Sequence, residues 1–221
     1  MSDALVFLYQ DDALVVVDKP AGLATHRGWA PETDVVVARA RAILGRPVFA
    51  VHRLDRGTSG TLALALTAES ARSFGALFAS GHMKKSYLAL VRGIPEEEGL
   101  IDHPVPSGED PHGPKVEART AFTRLEIIGR YSLVQARPLT GRLHQIRRHL
   151  KHLSCPILGD TTYGKGDHNR LFRSQFGLHR LFLHAERLQC PHPLSAQPLD
   201  IHAPLPPELL ATLAALRAAQ A

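Results

Sequence analysis

Nine consecutive residues, HRLDRGTSG from His52 to Gly60, set a single carboxylate, Asp55, between Arg53 and Arg56 in a Gly-Thr-Ser-Gly loop too polar to be packing core. A nearby cation favours the ionised form of a carboxylate, so Asp55 is expected to be a ready anion with cations at hand for a phosphate-bearing substrate. An arginine-flanked aspartate also has a plainer reading, a surface ion pair that caps a loop and contributes little. The rest of the chain decides between the two.

Charge is the next signal. The net charge is +5, and from Ile127 to Gly159 there is no Asp or Glu, while Arg130, Arg137, Arg142, Arg147, Arg148 and Lys151 all fall there with His144, His149 and His152. A stretch of one sign this long is an electrostatic footprint for a polyanion such as nucleic acid. Leu143, Ile146, Leu150 and Leu153 are interleaved with the charges, so the segment has anchors to a core that a disordered basic tail would lack.

Other motifs fail on inspection. GDTTYGKG, Gly159 to Gly166, nearly spells a phosphate-binding loop, but the Ser or Thr that would hold magnesium is missing, and Asp167-His168-Asn169 reads as a poor helix opening for binding phosphate. His184-Ala185-Glu186 has the H-x-E of zinc deaminases without the downstream P-C-x-x-C. His149 and His152 lie among like charges with no carboxylate to complete a ligand set, so no metal site is expected there, and these histidines read as structural or phosphate-facing.

The elements that must position these residues follow from periodicity and turn residues. LVFLY and LVVV flank Asp11-Asp12 and predict a hairpin. TDVVVARARAIL is weakly helical up to Gly45, TLALAL suits a buried strand, and Thr67 can cap a helix with Phe74, Leu77 and Phe78 on one face, ended by Gly81. KKSYLALVRG alternates as a strand. Pro95 to Pro114 is rich in turn residues, with HPVPSGEDPHGP reading as loop. ARTAFTRLEII and YSLVQARPL form a second hairpin about Gly129-Arg130, GRLHQIRRHLKHL is a basic helix, LFLHAERL and PLDIHA are short strands, and PPELLATLAALRAA closes the chain as a helix. Hairpin-joined strands that outnumber helices predict an α+β fold around a mixed, mostly antiparallel sheet with flanking helices.

Length and composition, 221 residues with 44% hydrophobic and 21% charged, are those of a folded globular chain of one or two domains. The start lacks a signal-peptide pattern, and no apolar run approaches the roughly 18 residues a membrane span needs. Cys155 and Cys190 have no C-x-x-C spacing, so neither a disulfide framework nor a thiolate zinc site is expected and the cytoplasm is the default compartment.

HRLDRGTSG, the K-x-Y-x-A-x-V-x-G pattern from Lys85 to Gly93, TGRLHQIRRHL, and PILGD with Tyr163-Gly164 occur in this order after DKPAGLATH at residues 18 to 26. In combination they resemble the RluA-type family of pseudouridine synthases, and within it a subgroup acting on tRNA. The resemblance covers nearly the whole chain. It implies one catalytic domain over residues 1–221 with a central active-site cleft and no separate N-terminal RNA-binding domain. The implied reaction isomerises a uridine already in RNA, detaching uracil from C1′, turning it and reattaching it through C5, without cofactor or metal. Asp55 would be the essential carboxylate, through addition to the ribose or uracil or through glycal formation. Arg147 would be its guanidinium partner, and Tyr87 would stack on the target ring near C5.

The base must leave its stack to react, and Arg53 would fill the gap. The resemblance further implies RNA contacts through His52, Arg56, Lys85, Arg142, His144, Gln145, Arg148 and Lys151, with phosphate contacts setting affinity rather than sequence choice. Thr58 and Ser59 would shape the Asp55 loop. Position 57 is Gly where the family pattern has Pro, and the Ile101–Pro114 loop is shorter than the subgroup pattern. The expected substrate is tRNA at position 65 of the usual convention, in the acceptor and T-arm region. A synthase of large-subunit rRNA and a non-catalytic RNA-binding protein are the alternatives, while a phosphate-ester hydrolase would need clustered metal-binding carboxylates. A monomer is the simplest oligomeric reading.

Overall fold

The computed structural model describes residues 5–27 and 33–220. In chain order the elements are β1 (Val6–Gln10), β2 (Leu14–Lys19), α1 (Val36–Leu44), β3 (Phe49–Ala50), β4 (Ser59–Ala65), α2 (Ala68–Ala79), β5 (Lys84–Arg92), β6 (Glu98–Asp102), β7 (Val105–Pro106), β8 (Lys115–Val116), β9 (Arg119–Ile128), β10 (Tyr131–Pro138), α3 (Gln145–His152), α4 (Gly166–Phe176), β11 (Leu183–Pro191), β12 (Pro198–His202) and α5 (Pro207–Ala218). The class is α+β, as the hairpin pattern predicts. No helix among the described residues is long and apolar enough to cross a membrane. The chain divides into two compact units, Met1–Lys85 with Ala185–Pro204, and Ser86–His184 with Leu205–Ala221.

In the first unit β1, β2, β4 and β11 lie side by side, with β3 on β4 and β12 on β11. The β1–β2 turn forms because Asp11 Oδ1 accepts the N–H groups of Ala13 and Leu14 at 2.8 and 2.9 Å. β2 runs antiparallel to β4 from Leu14↔Ala65 to Lys19↔Gly60. Helix α1 stops at Gly45, whose φ of 63° is the left-handed conformation glycine adopts without strain. Thr67 caps α2 as its sequence predicts, accepting from the Ser70 N–H while the Ser70 hydroxyl accepts from the Thr67 N–H. Phe74 of α2 is fully buried against Leu14, Val16, Ala63 and Leu188 in the core of this unit.

In the second unit the strand order is β5-β10-β9-β6, with β7 and β8 paired separately. β10 is antiparallel to both neighbours, Tyr131 lying opposite Arg92 of β5 and Ile128 of β9. α4 packs against α5, and Tyr131 meets Phe172 of α4 edge to face at 4.8 Å.

Three local expectations need correction. HPVPSGEDPHGP is not all loop, since Val105–Pro106 pairs with β8, and the turn-rich stretch before it holds a strand that the sequence reading did not assign, β6, paired with β9 from Glu98↔Thr123 to Asp102↔Arg119. β6 is an outer strand with only Ile101 buried, so it lacks the apolar alternation that sequence reading relies on. The basic helix begins at Gln145 rather than Gly141, because His144 has φ 53° and cannot continue a right-handed helix. Finally, Asp167-His168-Asn169 lies in the first turn of α4, a helix that the sequence reading did not assign. Asn169 bridges back, donating to the Asp160 carbonyl and accepting from the Gly159 N–H at 2.8 and 2.9 Å, so long-range contacts replace the missing local cap.

Candidate active site

The Asp55 loop lies wholly in the first unit and is tied down through its backbone. Thr25, buried, both accepts from the Leu54 N–H (3.1 Å) and donates to the Leu54 carbonyl (3.2 Å). Gly22 N–H donates to the Arg56 carbonyl, and Arg56 Nε donates back to the Gly22 carbonyl, both at 2.8 Å. The fully buried Lys19 ammonium donates to the carbonyls of Leu23 (2.7 Å), Pro20 (2.8 Å) and Arg56 (3.3 Å), which offsets the cost of removing the charge from water. The Thr58 N–H closes the turn onto the Asp55 carbonyl at 3.0 Å. Gly60 follows at φ +110°, where an added Cβ would lie 2.2 Å from the Ala185 carbonyl oxygen, so no larger residue fits. Asp55 is half-buried and Arg53 exposed at this anchored loop. The segment from Lys19 to Thr25 falls in DKPAGLATH, one of the motifs of the family resemblance, but its role as the clamp on the Asp55 loop depends on contacts 29 or more residues apart.

His52 and Lys85 occupy the same unit. The Ala63 N–H donates to His52 Nε2 at 3.0 Å, which leaves the proton of the neutral ring on Nδ1. Nδ1 is buried with no hydrogen-bond partner among the described residues. Burial, reinforced by the Lys85 charge, takes the His52 pKa down to about 3, and burial lowers that of Lys85 as well. The Lys85 ammonium sits 5.3 Å from the Phe78 ring centroid, and His52 lies 5.5 Å from the same ring. His52 is therefore a neutral hydrogen-bond acceptor in the folded protein.

The consequence for stability has a definite sign. The unfolded chain takes up a proton at His52 near pH 6.5 and the folded chain only near pH 3, so this contribution is present above 6.5 and is lost as pH falls between the two. Urea unfolding across that window is expected to show His52→Gln flattening the pH dependence by at most about 1.4 kcal/mol per unit. An unchanged slope would show that His52 takes up its proton in the folded state.

The second unit carries the other named residues. Tyr87 is buried in β5 opposite Ala136. Gln145, at the start of α3, has a complete set of partners. Its carbonyl accepts from the Thr140 hydroxyl (2.7 Å) and Arg142 N–H (3.0 Å), and its amide donates to the Arg119 carbonyl and Thr120 Oγ1 (both 2.9 Å). Thr120 in turn reaches His149 Nδ1 at 2.8 Å, and His149 Nε2 donates to the His103 carbonyl at 2.9 Å, so this histidine is structural and neutral.

Arg147 is the centre of the unit's charged cluster. Its Nε and Nη2 grip the Asp160 carboxylate bidentately at 2.7 and 2.9 Å, with the Asp160 side chain fully buried. Asp160 Oδ1 also accepts from the Thr162 and Tyr163 N–H groups at 2.9 Å. The backbone donors that a phosphate-binding loop would offer to a ligand are thus turned onto the chain's own carboxylate. Burial pushes the Asp160 pKa up, but the Arg147 guanidinium and the two N–H groups outweigh it and hold it below the usual carboxylate value.

Tyr163 gathers the remaining cations. The Arg147 and Arg148 guanidinium carbons and the Lys151 ammonium lie 5.0, 5.8 and 5.7 Å from its ring centroid, and its hydroxyl accepts from Arg148 Nε at 2.9 Å beside His144 Nδ1 at 3.1 Å. Arg148 also donates to the carbonyls of Pro106, Leu143 and Gly108 at 2.7, 3.0 and 2.7 Å, so it fastens α3 to the β7 loop. Arg142 Nε donates to the Glu117 carbonyl at 3.0 Å.

Of the residues singled out in sequence, His52, Arg53, Asp55, Arg56 and Lys85 belong to the first unit, and Tyr87, Arg142, His144, Gln145, Arg147, Arg148 and Lys151 to the second. Arg53, Arg56, Arg142 and Lys151 are the exposed cations among them. Sequence reasoning quoted PILGD and Tyr163-Gly164 but gave no role to Asp160 or Tyr163. The available signal was a lone acid ending a long one-sign stretch.

Comparison with known proteins bears on these arrangements. A family profile described as RNA pseudouridylate synthase matches residues 13–152. The chain is 43% identical to tRNA pseudouridine synthase C of Vibrio cholerae over 91% of each chain, and 39% identical to that of Salmonella typhimurium over 91% of this chain and 85% of the relative. Among solved structures, human RNA pseudouridylate synthase domain containing 4 superposes with a TM-score of 0.79 at 30% identity, over 96% of this chain and 93% of that one. Human RNA pseudouridylate synthase domain containing 1 gives 0.76 at 29% identity, over 94% and 87%.

Proposed function

Because the chain belongs to the RNA pseudouridylate synthase family, we propose that it isomerises a uridine of tRNA, at position 65, with Asp55 as the essential carboxylate. The observation that carries this reading is the Asp55 loop itself. Its backbone is held on both sides by Thr25, Gly22 and Lys19, which fixes the position of a half-buried carboxylate.

Detaching uracil from C1′, by addition of the carboxylate or through a glycal, requires an ionised, well-placed oxygen, and a rigid loop lowers the cost of placing it. Arg147 supplies a guanidinium whose plane is set by Asp160. Tyr87 supplies a ring to stack on the uracil and a phenol near C5, from which a proton must leave once the new C1′–C5 bond has formed. The proton lost from C5 is balanced by the one that N1 gains once its bond to C1′ is broken, so the step is an isomerisation and no oxidant, reductant or cofactor enters the balance. Exposed Arg53 takes the space of the flipped base, and Arg142 and Lys151 meet phosphates. The tRNA assignment is supported by the names of relatives similar over most of both chains.

Tritium release from C5-labelled uridine, followed by sequencing of modified sites in tRNA and rRNA incubated together with the protein, tests the reading. The expected result is release from tRNA with the new pseudouridine at position 65. Modification confined to rRNA would overturn the substrate and keep the chemistry.

A further inference from the structure

We infer that Arg92 and Arg130 form a second phosphate-binding point for the RNA substrate, at the end of β5 remote from Tyr87. This rests on the proposal that the protein acts on RNA. Arg92 ends β5, Arg130 lies in the β9–β10 turn, and the two are joined through the backbone by the Gly93 N–H, which donates to the Arg130 carbonyl at 2.9 Å.

Their side chains are positioned by one short chain of hydrogen bonds. Arg92 Nε donates to His168 Nε2 at 2.9 Å, so that nitrogen carries no proton and the neutral ring keeps its proton on Nδ1. Nδ1 then donates to the Tyr131 hydroxyl oxygen at 3.2 Å, which also accepts from Arg130 Nε at 3.2 Å. Arg130 lies over the Tyr131 ring as well, with its guanidinium carbon 5.6 Å from the centroid.

Each guanidinium therefore spends only its Nε on a hydrogen bond. Among the described residues the terminal amino groups of both have no acceptor, and no carboxylate forms an ion pair with either arginine. Asp167, the acid beside His168, is already paired with Arg170. Two oriented, uncompensated forks in one corner repel each other unless an anion lies between them, and the terminal amino groups match the geometry of a phosphodiester. This differs from the α3 cluster, where Asp160 compensates Arg147 and backbone carbonyls take up Arg148.

The spacing favours a polymer over a free anion. Tyr87 and Arg92 are five positions apart on β5, roughly 16 Å at the rise of an extended strand, a span that one RNA molecule covers readily. A net charge of +5 over the chain is consistent with several phosphate contacts of this kind.

The test measures tRNA binding over a range of salt for wild type, Arg130→Gln and Arg92→Gln/Arg130→Gln, with turnover at saturating tRNA and thermal melting on the same samples. Arg130 is exposed and among the described side chains bonds only to Tyr131, so the single variant guards against a folding defect in the double one. The double variant is expected to weaken binding roughly 3- to 10-fold near physiological salt and to lower the slope of log K against log salt by about 1. The single variant should lie between, with saturated turnover and melting temperature unchanged.

A wild-type protein that binds and modifies tRNA while both variants match it in affinity and slope would overturn this proposal alone. Failure of wild type to bind any RNA would overturn it together with the proposed function. Inorganic phosphate titrated at constant ionic strength should leave tRNA binding unchanged. Its displacing tRNA from wild type but not from the double variant would assign the corner to a free anion instead.

Discussion

Asp55→Asn is expected to lower pseudouridine formation by about 10³-fold or more, because the amide can neither act as a nucleophile nor favour charge development at C1′ as a carboxylate does. Asparagine is nearly isosteric, and the Thr58 N–H bond to the residue-55 carbonyl does not involve the side chain. The loop anchors at Leu54 and Arg56 belong to the neighbouring residues, through the Leu54 N–H, the Arg56 carbonyl and Arg56 Nε. tRNA affinity should therefore stay within about threefold, since phosphate contacts supply most of it. Single-turnover tritium release and filter binding on one preparation separate the two effects. Retained turnover at a tenth of wild type or more would remove Asp55 from the chemistry and favour an RNA-binding role for the loop.

The second large effect is expected at Asp160. Asp160→Ala removes both acceptors of the Arg147 fork and the oxygen that receives the Thr162 and Tyr163 N–H groups, leaving a buried guanidinium short of its partner. Breaking a buried pair in this way costs about 3 to 5 kcal/mol. Asp160→Asn keeps one oxygen for the turn and loses the charge, so it should fall between alanine and wild type in stability. Its turnover should drop with little change in tRNA affinity, because Arg147 would no longer be held in one plane.

The double variant Asp160→Asn/Arg147→Met is expected to regain part of the stability and none of the turnover. Recovery of turnover would show that Arg147 matters to the fold alone. The acid limb has its own sign. With the Asp160 pKa below the usual carboxylate value in the folded state, its contribution is complete above the ordinary value and is lost as pH falls through the lowered one. Asp160→Asn should flatten that limb.

Much of the architecture was legible because the signals are local. The β1–β2 and β9–β10 hairpins are set by Asp11 and by Gly129-Arg130 between alternating apolar runs, and α2 begins at Thr67 because its hydroxyl takes an otherwise orphaned N–H. β6 was not legible, since an outer strand with one buried residue carries no alternating pattern. The start of α3 was misplaced by sequence because its limit is a left-handed His144 held beside Tyr163, not a local breaker such as proline.

The residues proposed for chemistry divide in the same way. By itself the sequence determined which side chains are available and in what order: a carboxylate among arginines at Asp55, a tyrosine in a strand at Tyr87, and a basic segment containing Arg147. Their roles in the chemistry are what the resemblance to the family implies, and the matched profile spans all three. Only the tertiary structure decided their states and partners. Arg147 meets Asp160 across 13 residues, Arg148 is committed to carbonyls about 40 residues away, and His52 is neutral because folding buries it beside Lys85. Burial and long-range hydrogen bonds set protonation and orientation, and both depend on groups that become neighbours only when the chain folds.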